Sequence, residues 1–593
     1  MVNLRHQNRV FLLLTIIFWG ALGGALPLWA QSTDSTPRPL YALPASNVPT
    51  RSNNSFALSS KTGLLVVANM LNDTVSIVAP ISGVVQAEVE VGSDPRSVAY
   101  LPNNETAIVV NRGDSSLMLV DTLQQQVIAQ KTLAGVYPYG VVVDANGRAY
   151  VSVQGSSKVL VIETSTLETI AEIPTLPFPS GLALWGDFLY VTHFWSGGVS
   201  LIYLPQFAVV QHLASPHPTT LSANIVIDPN TARAYLPQTR SYAENPTATY
   251  DSLVFPLVNV LQLDQLAFYR PSRLALDIMD RPVNMPFATL VDGIRGWLYV
   301  ANAGSNDVSV YNLRTQAYIN NVVVGSQPRG LLLNNDNSRV LVHNVLDGSI
   351  TSIDAATQQV LDELPVTVND KLSVDELIGA EMFYSATDPS LSKDHWVSCA
   401  NCHFDGMSDG LVWQSFGEGG RNTPHLFNLK DTAPYTWMDN WLELAQLEDK
   451  VRRHFGGTGF IFPPVTENRS GMSLELDTLT LYLATLEGVQ PPPSNATLET
   501  LARGESLFNE QGCVACHTPP VYTNQQAFNV GTGGQVDTPS LVGLALSAPY
   551  FHDGSATTLR DVFSMPGAHQ LIDKMTTSDL DALLAWLLAL PSS

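Results

Sequence analysis

The chain has 593 residues, with 30 Lys and Arg against 53 Asp and Glu, for a formal net charge of −23. That length holds several domains with sizeable cores. The charge argues against nucleic acid and anionic membranes as partners; it suits either plain solubility or attraction of a small basic electron carrier.

Arg5 and Arg9 precede an uncharged apolar run, Val10 to Ala30, which ends before polar Gln31, Ser32 and Thr33. This is the layout of a signal peptide over residues 1–30. The run is also long enough to cross a bilayer as an uncleaved anchor. Gly20, Gly23, Gly24 and Pro27 favour cleavage, whereas Leu28 is a poor residue two before the cut. Either reading sends the protein out of the cytoplasm, to a periplasmic or other extracytoplasmic space. Membrane association is expected only if the segment stays uncleaved.

Residues 31–366 are repetitive. A turn signal recurs as "DPRSVAY" at Asp94, "YPYGVVV" at Tyr137, "FPSGLAL" at Phe178 and "QPRGLLL" at Gln327. Paired β-branched runs joined by short Asn, Gly, Ser or Asp turns lie between these signals, from Leu64 to Val78 through to Val340 to Asp354. Such pairs read as hairpins. Several short strands in a period of roughly forty residues are the mark of a β-propeller. The repeats number seven, the fifth being degenerate with an insertion from Ser241 to Phe255. That insertion is expected to touch a neighbouring domain. "LYVAN…NDVSVYN" resembles the YVTN-type propeller repeat. His193 and His343 fall in hairpin positions without accompanying carboxylates or cysteines, and are read as structural or solvated.

Beyond Val366 the strand pattern stops, and two matching halves follow: residues 367–490 and 491–593, joined by the Pro-rich "GVQPPPSN" from Gly488 to Asn495. All four cysteines lie here, in "SCANCHFDG" and "GCVACHTPP". Cys-x-x-Cys-His is the spacing of covalent haem c attachment: two thiols for the vinyl groups and a histidine for the iron. The competing readings are a four-cysteine zinc site, two redox dithiols or a disulfide framework. None of them needs a histidine after each second cysteine. Two covalently bound haem c groups are therefore expected, at Cys399, Cys402 and His403 and at Cys513, Cys516 and His517.

The halves agree in order. "ELIGAEMFY" (Glu376 to Tyr384) and "ARGESLFNE" (Ala502 to Glu510) are opening helices with Gly and an aromatic at helical spacing. "NTPHLFNLKDTAPY" from Asn422 matches "DTPSLVGLALSAPY" from Asp537. The runs from Met472 and Met575 are closing helices with Ser or Thr at the cap. The expected fold is an all-β seven-bladed propeller followed by two all-α cytochrome c-like domains. The tandem plan, with "TPSL…APYFHDG" from Thr538 to Gly554, resembles the di-haem cytochrome c peroxidase/MauG family over about residues 370–593.

Past the Ala-Pro-Tyr turns, "LEDKVRRHFGG" and "LRDVFSMPG" align with one insertion, pairing Val451 with Val562 and His454 with Met565. This makes His454 and Met565 the expected sixth ligands, with a lower-potential first haem and a higher-potential second. His425 competes with His454; His569, His552 and Met575 compete with Met565. The resemblance implies an acidic residue over the first haem, but Glu443, Glu448 and Glu467 do not fall in a matching segment. Trp437 and Trp441 are either inter-haem aromatics or core residues. The reading is an electron-transferring cytochrome whose propeller docks a redox partner protein or substrate. A peroxidase or MauG-type oxidoreductase is the alternative, and a propeller-led binding or sensor protein the third.

Overall fold

The β-branched runs form antiparallel sheets over residues 56–90, 95–132, 138–174, 179–213, 219–275, 286–323 and 328–365. These seven sheets are the blades of the expected propeller. The computed structural model describes residues 42–590 except 134–136, 248–251, 277–281, 369–370, 416–418, 439–440, 467–468, 489–490 and 492–495. The expected leader, Glu467 and most of the Pro-rich joint lie outside the described residues. Pro44–Ser593 pack as one unit. No helix among the described residues is long and apolar enough to cross a membrane.

A proline turn opens the first strand of five of the seven blades. Pro95, Pro138, Pro179, Pro286 and Pro328 each begin such a strand, where a missing N–H is tolerated. The preceding Asp94, Tyr137, Phe178, Met285 and Gln327 all have φ between +49° and +56°. That conformation is uncommon for bulky residues, and here it turns the chain into the strand. The degenerate fifth repeat folds as a six-stranded sheet.

The segment before the first blade runs across the ring. Thr50–Ser52 pairs antiparallel with Ser52 opposite Ala183 in the fourth blade. The Asn53 N–H donates to Leu182 O at 3.0 Å, Asn54 Nδ2 to Leu331 O at 2.7 Å, and Ser97 Oγ to Asn54 O at 3.1 Å. The ring closes where Phe56, Leu65 and Val67 of the first blade pack on Leu341 and Ile350 of the seventh. His193 is spanned by Pro177 O at 3.0 Å and Ser200 Oγ at 2.7 Å. His343 Nδ1 meets Ser55 Oγ at 2.8 Å. Both are buried structural histidines.

Each haem half is framed by two crossing helices. In the first, Val374–Tyr384 opens with a capping box of Ser373 and Glu376, and Leu474–Thr485 closes with Ser473 as its cap. In the second, Leu498–Glu510 and Thr577–Leu588 are capped by Thr497 and Thr576. The helices cross at a glycine in both halves. A Cβ on Gly379 would stand 2.1 Å from Thr478 O, and one on Gly504 2.3 Å from Ala582 O. Only glycine permits that approach.

Candidate haem sites

In the second half, Cys513 follows directly after the opening helix and starts a short 3₁₀ turn, Cys513–Ala515. His517 Nδ1 stands 3.0 Å from the Tyr522 carbonyl, which accepts its proton. That contact fixes the tautomer and leaves Nε2 to bind a metal. Burial lowers the His517 pKa to about 4, so the imidazole is neutral, the ligating form. Cys513 and Val514 border an apolar cluster with Phe508, Tyr550, Phe563 and Leu583. The set fits a haem: a flat apolar wall, two thiols and one oriented imidazole.

The first site repeats this plan. Cys399–Asn401 is again a 3₁₀ turn. Burial, with Lys450 nearby, lowers His403 to about 4 against the pull of the Pro424 carbonyl. Nδ1 of His403 makes no hydrogen bond of good geometry. Cys399 borders a cluster with Phe383, Ala400, Phe404 and Tyr482. All four thiols are free and half-buried. The two pairs do not converge: among the described residues no group of three or more His, Cys, Asp or Glu is placed to hold a metal ion. The four-cysteine zinc reading therefore fails.

The residues after His403 serve a purpose that the motif does not announce. Asp405 Oδ2 accepts from Arg96 Nη1 at 2.6 Å, and Oδ1 from Arg329 Nη2 at 2.8 Å and from Tyr384 Oη at 2.9 Å. Arg112 Nη1 is 3.6 Å away. The three arginines come from the propeller and are buried with Asp405. Burial pushes the Asp405 carboxyl up, but Arg329, Arg96 and Arg112 hold it well below the usual range. Arg329 also lies 4.6 Å from the Phe404 ring centre, a desolvated cation–π contact. Phe404 stacks on Phe287 of the sixth blade at 5.3 Å. The first haem half is thus seated on the propeller.

The fifth-blade insertion completes this seat. Gln414 N–H donates to Ala243 O at 2.8 Å, and Leu253 and Val254 pack with Val397, Trp413 and Cys402. Asp409, buried beside Cys402, accepts from Trp413 Nε1 at 2.9 Å. Burial pushes its carboxyl up to about 6 despite hydrogen bonds from Leu411, Thr423 and Trp413.

His454 lies in the π-helical turn Val451–Phe455. Burial and the charges of Lys450 and Arg453 lower it to about 4; Lys450 acts on His403 as well. His425 is turned to other work: its Nδ1 accepts from Phe427 N–H at 3.3 Å. Met565 caps the C-terminus of helix Leu559–Ser564 and packs, half-buried, on the cluster around Cys513. The His569 ring centre is 6.3 Å from that of His517. His552 Nδ1 is 3.3 Å from Thr532 Oγ1, and Met575 immediately precedes the cap of the closing helix.

The two candidate acids among the described residues are engaged in structure. Glu448 accepts from Arg452 Nε at 2.8 Å and from the N–H groups of Phe460 and Ile461 at 3.1 and 3.3 Å. Glu443 accepts from Arg469 N–H at 2.6 Å and Ser470 Oγ at 2.8 Å. Trp437 joins the halves: its Nε1 donates to Asn422 O at 2.8 Å, its carbonyl accepts from Asp537 N–H at 3.0 Å, and its ring is 6.4 Å from His552. Trp441 lies under Lys450, whose Nζ is 5.8 Å from the ring centre. A cavity of about 160 Å³ opens between the halves, lined by His425, Phe427, Tyr435, Trp437, Pro539 and Tyr550 among others.

Residues 375–455 match the family model for di-haem cytochrome c peroxidase. The cytochrome c551 peroxidase of Pseudomonas aeruginosa is 24% identical over 270 residues, covering 35% of this chain and 76% of that protein. The methylamine utilization protein MauG of Methylophilus methylotrophus is 24% identical over 253 residues, covering 34% of this chain and 75% of that protein. Among solved structures, Kuenenia stuttgartiensis hydrazine synthase aligns with a TM-score of 0.47 and 19% identity, covering 55% of this chain and 99% of that chain. The part that follows the propeller is similar to the di-haem cytochrome c peroxidase and MauG proteins, which implies haem c and a di-haem redox function.

Proposed function

We propose, from this likeness of the C-terminal part to the di-haem cytochrome c peroxidase/MauG family, that the protein is an exported c-type cytochrome that passes electrons through two covalent haems. Cys399 and Cys402 would tether one haem, and Cys513 and Cys516 the other. His403 and His517 would ligate one face of each iron, and His454 the second face of the first. Haem c supplies reversible one-electron reduction of its iron. His517 is held for this by Tyr522 O, and Trp437 bridges the two halves through Asn422 O and Asp537 N–H. A negative chain would draw in a small basic electron carrier in a periplasmic or similar space, and the propeller would help to dock it.

One observation carries the preference for transfer over peroxide chemistry. A peroxidase needs an acid or base free to move a proton over an open iron. Glu448 and Glu443 instead spend their oxygens on backbone N–H groups, a guanidinium and a hydroxyl. The peroxidase or MauG-type reading is favoured by the relatives' names. Resonance Raman and EPR spectra of both redox states decide between them. Two six-coordinate low-spin irons that do not react with peroxide are expected; a high-spin iron consumed by peroxide overturns the carrier. Mass spectrometry of the denatured chain is expected to show two haem additions.

A further inference from the structure

We propose that His569, rather than Met565, is the sixth ligand of the haem held by Cys513, Cys516 and His517. The inference rests on the haem reading above and concerns only which side chain completes the second iron.

The spacing comes first. An imidazole nitrogen binds a first-row metal at about 2 Å, and the ring centre lies about 1 Å behind it, so two rings on opposite faces of one metal stand about 6 Å apart. The ring centres of His517 and His569 are 6.3 Å apart, with their planes at 44°. A ligating ring contains the metal–nitrogen axis in its own plane. The angle between two such rings is therefore a twist about that axis and leaves both bonds their length.

The chain is also built to bring His569 there. Gly567 has φ +138°, and a Cβ on it would stand 2.1 Å from Val530 O. Ala568 N–H donates to the same carbonyl at 3.3 Å. Two residues past the histidine, Leu571 and Ile572 N–H donate to Phe563 O at 3.0 and 3.1 Å. The loop is pinned on both sides of His569 and folded back over helix Leu559–Ser564. The His569 ring rests 5.6 Å from Phe551. The ring is half-buried, yet its Nδ1 is shut off from solvent with no hydrogen-bond partner among the described residues, an unusual state for a polar atom that serves only packing. Met565 has a complete structural role without the iron: its N–H donates to Asp561 O at 3.1 Å as it ends the helix, and its side chain packs in the apolar cluster.

Two imidazoles give a lower potential than imidazole with thioether. The second haem then loses the high potential that Met565 would confer, and both irons share one ligation type.

The test uses the full chain, with His569→Met, His569→Ala and Met565→Leu variants. Peptide mass spectrometry first asks whether a haem is attached at Cys513 and Cys516; its absence there defeats the haem reading itself. With the haem in place, the parent protein and Met565→Leu are expected to share one spectrum without a methionine-to-iron charge-transfer band. His569→Met is expected to gain that band and raise the second potential. His569→Ala is expected to turn one haem high spin and to bind carbon monoxide. A charge-transfer band in the parent that disappears in Met565→Leu overturns the proposal. So does a His569→Met protein whose spectrum and potential equal the parent's, a result that stands even if His569→Ala does not fold.

Discussion

The two haem halves share caps, crossing glycines and attachment turns, yet they use the two residues after the ligand histidine in opposite ways. In the first half, Phe404 and Asp405 are buried under the propeller. In the second, Thr518 and Pro519 are exposed. The two halves share the attachment motif, and in one of them the turn after it has become an anchor. The exposed turn leaves the second site's edge to solvent.

Removing the anchor should break this comparison most sharply. Asp405→Asn leaves Arg96, Arg112 and Arg329 buried around a neutral group, with Asp94 alone bonded to two of them. A loss of about 3–5 kcal/mol is expected, the cost of removing one partner from a buried ion network. Denaturant unfolding measures it. Asn509→Ala, on the second half, serves as the control that leaves the propeller seat intact.

Acid should act on the same contact. The folded Asp405 carboxyl sits below its ordinary value of 3.8. Its stabilisation is complete above that value and drains away as pH falls toward the folded one. Asp409, raised to about 6, has the opposite slope: it favours the folded state at low pH and loses that contribution as pH rises through 6. In thermal melts of the parent, Asp409 should add slightly to stability as pH falls from about 6 toward 3.8; the melts should weaken on acidification below 3.8, where Asp405→Asn should flatten the acid limb.

Smaller and symmetric effects should follow at the helix crossings. Gly379→Ala and Gly504→Ala each force a methyl against a backbone carbonyl, and each should cost about 1–3 kcal/mol. Similar losses in both halves would confirm that the crossings are equivalent, whereas a tolerated Gly504→Ala would mark the second half as looser. The smallest effect belongs to Thr518→Ala, which touches no buried group and should stay within about 0.5 kcal/mol.

Much of this was legible in the sequence because it is locally encoded. A proline at the start of five blades, β-branched runs on either side of a tight turn, and a glycine one helical turn before an aromatic all signal through spacing within a few residues. The attachment motifs are local as well. The anchor is not local, since Asp405 meets arginines from the second and seventh blades that only ring closure brings together. A trace did exist: Arg96 and Arg329 stand right after the proline in two of the four turn signals, "DPRS" and "QPRG". A repeated arginine in a strand otherwise apolar asks for a buried anion. His569 was legible only as a rival to Met565. Pairing the two halves sets His454 against Met565 and gives His569 no counterpart.

The strand at Thr50–Ser52 has a consequence for how the protein is made. Its partner in the fourth blade is synthesised three blades later, so the leading strand must wait, unpaired, while the chain grows. Pairings this distant in sequence are slow to form. The crossing helices of the haem halves are also far apart in sequence, but each pair meets within its own half and does not wait for the ring. Asp405 can find its arginines only after the seventh blade has met the first. Assembly therefore has an order: the ring closes on its own leading strand, and the first haem half then locks onto the finished rim.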